Sequence, residues 1–158
     1  KPSAIRYPRD FAYEYNNNNN FQKIFIGKGK ILKKGKKIAF LNLGTRLKKV
    51  LEINEMIKNH HKLNCTVVDM RFAKPIDTKL IQNLNKTHDI FITIEENAIG
   101  GFSSQVNDFL INKLNKTPKI LNFFMKDEFI DQSDIDDQYN KSGISKELIF
   151  DKISTILK

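Results

Sequence analysis

The chain has no tryptophan, one cysteine and only four prolines in 158 residues. A lone cysteine, Cys65, excludes an internal disulfide, so a core must hold the fold, as suits a reducing compartment. No apolar run approaches the ~20 residues that a membrane-spanning helix needs. The opening ten residues, KPSAIRYPRD, contain no apolar stretch of the kind that makes a secretory signal. With no initiator Met, they read as the interior of a longer protein, and the chain is expected to be a fragment.

Acidic residues are scarce in the first half. Through residue 79, 18 Lys/Arg face 6 Asp/Glu, a balance of +12, whereas the remainder carries −3. A basic balance of this size is one signature of nucleic-acid binding. Arginine, however, is as rare as acid there: the chain has 23 Lys and 4 Arg. The run Lys33-Lys34-Gly35-Lys36-Lys37 lacks both the arginines and the interleaved aromatics that read bases and stack on them. Abundant Lys and Asn are what an A-rich coding sequence yields without any ligand. Neither a nucleic-acid nor a membrane partner is therefore expected.

What is present is one domain's worth of core. Hydrophobic residues make up 40% of the chain and 12 of them are Phe. Asn16 to Asn20 form a tract that buries nothing and cannot offset its own ordering entropy, so a disordered loop is expected. It separates a leading segment, with Ala4-Ile5-Arg6-Tyr7 strand-like, from residues 21–158.

Beyond the tract, Ile24-Phe25-Ile26, Gly27-Lys28-Gly29 and Ile31-Leu32 suggest a short strand pair broken by glycine. The pattern then becomes regular. Ile38–Leu43, Cys65–Asp69, Ile90–Ile94 and Lys119–Phe124 are apolar runs of the length of strands covered on both faces. Between them lie helical periodicities: Leu47 to Ile57; Leu80, Ile81 and Leu84 after Pro75-Ile76-Asp77; Val106 to Leu114 after Gly100-Gly101. A short acidic helix ending at Gly143 and a last helix over residues 145–157 complete the chain. Strands alternating with helices predict an α/β three-layer α/β/α sandwich. Its mostly parallel sheet has about five strands, with an antiparallel edge strand from the amino-terminal pair.

In such sheets the functional loops lie at the carboxyl ends of the strands. Here these are Gly44-Thr45, Asp69-Met70-Arg71-Phe72 and Glu95-Glu96-Asn97. In the second, Asp77 is placed to cap the next helix, and the segment reads as a structural connection, with a role for Arg71 or Lys74 the alternative. In the third, Glu95 and Glu96 are adjacent and point to opposite sides if the strand continues. That favours a structural or interface role over an acid/base pair or a metal site. Gly100-Gly101 frees helix amides for an anion. Arg6-Tyr7-Pro8-Arg9 offers an arginine fork beyond a proline, suited to phosphate, with a solvated arginine as the default. Gly27-Lys28-Gly29 lacks the Gly-Lys-Ser/Thr of a phosphate loop. His60 and His61 end a polar helix, His88 has no nearby nucleophile, and Cys65 suits a small core residue.

Arg6-Tyr7-Pro8-Arg9, Ile26-Gly27-Lys28-Gly29, Leu41–Thr45, Val67–Asp77 and Glu95–Gly101, in this order, resemble the last domain of the 1-deoxy-D-xylulose-5-phosphate synthase family. The wider transketolase superfamily shares that domain. Asp10 stands where the family usually has Gly. Ile99-Gly100-Gly101-Phe102 lacks the family's usual Met before the glycine pair and the Gly after it. The resemblance implies an enzyme joining pyruvate to glyceraldehyde 3-phosphate with loss of CO2, for isoprenoid and thiamine synthesis. It also implies thiamine diphosphate and Mg2+ bound by domains absent here, a homodimer, and a plastid (apicoplast-type) location. Residues 1–20 would then be the tail of the preceding pyrimidine-binding domain, with a linker and the Asn tract. No catalytic residue is implied in this chain. Arg9 alone carries over, as the arginine that holds the phosphate of glyceraldehyde 3-phosphate. Another transketolase-type enzyme, such as a 2-oxo acid dehydrogenase β subunit or a transketolase, and a free-standing anion-binding module are the alternatives.

Overall fold

The computed structural model describes residues 2–5, 7 and 23–158. Arg6, Arg9, Asp10 and the asparagine tract lie outside the described residues, so the expectations placed on them do too.

Five strands form one sheet. They are β1 (Lys30–Lys33), β2 (Lys37–Asn42), β3 (Thr66–Asp69), β4 (His88–Ile94) and β5 (Lys119–Phe123). Their spatial order is β1-β3-β2-β4-β5. β2, β3, β4 and β5 run parallel, and β1 pairs antiparallel with β3. Five helices connect or flank them: α1 (Leu47–His61), α2 (Thr78–Asn85), α3 (Phe102–Asn112), α4 (Ile135–Ser142) and α5 (Lys146–Leu157).

The strands alternate two apolar sets, one per face, because successive side chains leave a strand on opposite sides. Ile38, Phe40, Val67, Ile90 and Ile92 pack with Val50, Ile53 and Ile57 of α1 and with Ile149 and Ile153 of α5. Ala39, Leu41, Val68 and Phe91 pack with Ile81 and Leu84 of α2 and with Val106 and Leu110 of α3. The sheet is thus covered on both sides, and the three-layer sandwich expected from the sequence is the fold. The order of strands explains which helix goes where. The chain steps from β2 to β3 in one direction, then reverses and steps to β4 and β5. A right-handed crossover puts α1 on one face and, after the reversal, α2 and α3 on the other.

The amino-terminal expectations need correction. Ile24-Phe25-Ile26 is not a strand but exposed chain leading into a turn, in which Lys28 N donates to Phe25 O at 3.2 Å. β1 therefore has no hairpin partner, and it crosses to pair with β3 instead. Ala4, Ile5 and Tyr7 form no strand either, and all three are exposed. His61, at the end of the polar helix α1, is half-buried, its Nε2 2.8 Å from Ser154 Oγ of α5.

Candidate functional site at the carboxyl edge of the sheet

The reversal of chain direction leaves β2 and β4 side by side while their following helices depart to opposite faces. Such a switch point opens a crevice beyond the strand ends, where ligands of open α/β sheets sit. Here it lies between the Leu43–Arg46 loop and the Glu95–Gly101 loop. Backbone bonds extend the sheet into these loops and hold them. Leu43 N donates to Ile94 O at 3.0 Å, Glu95 N to Phe123 O at 3.1 Å, and Met125 N to Asn97 O at 3.0 Å.

Glu95 and Glu96 diverge, as adjacent residues at a strand end should. Glu95 is only 1% exposed. Its carboxylate accepts from Phe102 N at 2.8 Å and Ser103 N at 2.7 Å, the first amides of α3. A carboxylate there satisfies orphan helix donors and meets the positive end of the helix dipole. The amides expected to be free for an anion are thus already taken, by the chain's own side chain. Gly101 is required for this, since a Cβ at that position would overlap Glu95 Oε2.

Glu96 turns the other way. Its Oε1 accepts from Thr45 Oγ1, closing the crevice, and from the Tyr139 hydroxyl of α4. Burial pushes the Tyr139 phenol up in pKa, and the Glu96 carboxylate pushes the same way, while the cation of Arg46 opposes both. The Arg46 guanidinium lies over the Tyr139 ring at 3.6 Å and donates from Nη2 to Ile144 O at 3.0 Å. Arg46, Tyr139 and Ser145 were not singled out from the sequence. Only the place of Arg46, directly after Gly44-Thr45, could have marked it.

The Asp69–Phe72 loop is held by its own residues. Arg71 adopts a left-handed backbone, φ 60, and folds back on Asp69, its N donating to Oδ1 at 3.2 Å. Lys74 is exposed. The Lys74–Pro75 bond is cis. Asp77 caps α2 as expected, accepting from Leu80 N at 3.1 Å, and also receives Gly29 N at 3.2 Å and Lys28 Nζ at 3.4 Å. It thereby ties Gly27-Lys28-Gly29 to the head of α2. Gly27, at φ +69, leaves no room for a side chain against Pro75.

The remaining candidates are packed into the fold. Burial raises the Cys65 thiol to about 12, so it stays neutral as a core residue. His88 is buried, with Nε2 2.8 Å from Thr66 Oγ1 and Nδ1 3.0 Å from Leu84 O. Among the described residues no group of three or more His, Cys, Asp or Glu is placed to hold a metal ion. No helix among them is long and apolar enough to cross a membrane.

The family model "Transketolase, C-terminal domain" matches residues 27–149. This chain belongs to the transketolase C-terminal domain family. Relatives of this transketolase-type domain include the 1-deoxy-D-xylulose-5-phosphate synthase of Psychromonas ingrahamii, 39% identical over 94% of this chain and 24% of that protein. The protein of the same name from Aliivibrio fischeri is 48% identical over 83% of this chain and 21% of its own length. The chain thus spans about a quarter of the length of the curated relatives it matches. A solved "Split gene transketolase, inactive beta4 tetramer" superposes with a TM-score of 0.77 at 27% identity, covering 86% of this chain and 44% of that one. A transketolase from Campylobacter jejuni shares the fold at 16% identity and a TM-score of 0.53, over 82% of this chain and 18% of its own.

Proposed function

We propose that this transketolase-type domain is the C-terminal part of a 1-deoxy-D-xylulose-5-phosphate synthase. That enzyme would condense pyruvate with glyceraldehyde 3-phosphate, releasing CO2, to feed isoprenoid and thiamine synthesis. The observation that carries this is identity of 39–48% over most of the chain to bacterial proteins of that name. The resemblance of Asp69-Met70-Arg71-Phe72 and Glu95-Glu96-Asn97-Ala98 to that branch of the family supports the same reading.

The domain's own part is architectural. Thiamine diphosphate and Mg2+ would supply the carbanion chemistry in domains outside this chain. The described residues do not fit either group: no ligand cluster is present, and Glu95 fills the helix end that a diphosphate would use. The domain would brace the preceding one and take part in a homodimer, and its Arg9 would grip the substrate phosphate. A plastid location belongs to the same proposal, supported by the Lys- and Asn-rich composition. The relatives compared are bacterial.

Arg9→Ala in the full-length enzyme tests it. A lost fork of charged hydrogen bonds to phosphate costs about 2–4 kcal/mol. The KM for glyceraldehyde 3-phosphate should rise at least ~30-fold, a factor of 10 per ~1.4 kcal/mol, while that for pyruvate stays within about threefold. Equal effects on both substrates would sink the assignment.

A further inference from the structure

The exposed apolar residues are not scattered. Among the described residues after Lys23, eight large ones are exposed, and six of them, Ile24, Phe25, Ile26, Ile99, Phe129 and Ile135, sit past the carboxyl ends of the strands. β1 begins at Lys30, which pairs with Asp69 at the carboxyl end of β3, so Ile24–Ile26 precede it beyond that edge. Gly29 N donates to Asp77 at 3.2 Å and fixes their exit. Ile99 is in the loop after β4. Phe129 is in the connection after β5, which Met125 N ties to Asn97 O at 3.0 Å. Ile135 opens α4 one turn before Tyr139, whose hydroxyl bonds Glu96. Ile26 is 76% exposed, Ile99 67%, and Phe129 completely. The two exceptions are Ile111, on the last turn of α3 at the opposite end, and Leu148 on α5.

That opposite end is built differently. Lys34, Lys36, Lys37, Lys86, Lys116 and Lys119 surround the starts of β2, β4 and β5, all exposed. Among the described residues Lys116 alone of these has a carboxylate partner, Asp89 at 3.0 Å. Pressing unpaired ammonium groups into an interface costs their hydration, and interface centres are depleted of lysine. Apolar side chains gain from the same burial. At about 100 Å² each, the six at the carboxyl edge match the smaller interfaces between domains of one chain, about 600–1,500 Å².

We infer that the carboxyl edge is the face against which the preceding part of the parent polypeptide packs. This rests on the reading of the chain as the C-terminal part of a longer enzyme. The chain spans 24% and 21% of two such relatives. The rest of such a protein precedes a C-terminal domain, and it reaches this one through Lys23–Ile26, at that edge. Packed there, it also covers the crevice between Thr45 and Glu96.

The test is maleimide labelling of Ile26→Cys, Ile99→Cys, Phe129→Cys and Ile111→Cys, made one at a time in the full-length enzyme and read peptide by peptide by mass spectrometry. The first three should label at least ~10-fold more slowly than the fourth, the factor that ~1.4 kcal/mol of docking already supplies. In the 158-residue chain all four should label at similar rates. If that chain does not fold alone, the comparison with Ile111→Cys in the full-length enzyme decides. Equal rates there overturn the inference. So does protection that appears in the 158-residue chain and fades on dilution, which would assign the edge to a second copy. The synthase reading fails separately: a shielded edge in an enzyme with other substrates sinks that reading and keeps this one, and synthase activity with an exposed edge does the reverse.

Discussion

At the scale of single residues, Glu95 shows how one carboxylate closes a site that the glycine pair seemed to leave open. It is fully enclosed and accepts two amides of α3 at 2.7 and 2.8 Å. Glu95→Gln keeps the shape but removes the charge and turns an NH2 toward a helix donor. A drop of about 2–3 kcal/mol in unfolding free energy is expected from the lost charged hydrogen bonds and dipole interaction, measured by urea denaturation. An unchanged midpoint would show that the carboxylate does not hold the helix. The divergence of Glu95 and Glu96 was legible in the sequence, because adjacency on a strand end fixes it. Their partners were not: Tyr139 lies 43 residues from Glu96 in sequence, and nothing local in its segment points back to that loop.

At the scale of elements, the helices and the four parallel strands followed their periodicities, and each arose from a long apolar pattern. The amino-terminal pair did not, because an edge strand has only one neighbour to satisfy and takes whichever sheet edge is free. β1 found β3, and Ile24-Phe25-Ile26 found none. The joint between this irregular entry and the regular sheet is Asp77, which caps α2 and holds Gly29 N at 3.2 Å. Asp77→Ala removes a cap and a tether together, at a cost of about 2–3 kcal/mol. The thermal midpoint should fall by roughly 4–12 °C, at about 2–4 °C per kcal/mol for a domain this long. Asp77→Asn, which still caps, should recover most of the loss.

At the scale of the whole molecule, two apolar clusters back to back on one sheet account for the layered architecture. Charge does not organise the fold: the basic excess of the first half is spread over exposed lysines such as Lys33, Lys34, Lys36 and Lys37. The cluster on the α1 side draws on α5 at its centre, but on α4 only through Tyr139 at its margin. Ser142 is the only buried residue of α4. That helix is fastened by a phenol on Glu96 and by an aromatic face under Arg46, with little oil beneath it. The molecule should therefore come apart in a fixed order. In native-state hydrogen–deuterium exchange, amides of α4 should trade with solvent well before those of α1 and α5, as weakly anchored segments do. Tyr139→Phe should hasten that first departure while leaving the slowest protons of β2 and β4 as they were. The domain thus carries a hatch on the side where its strands end, and a single hydroxyl is the latch.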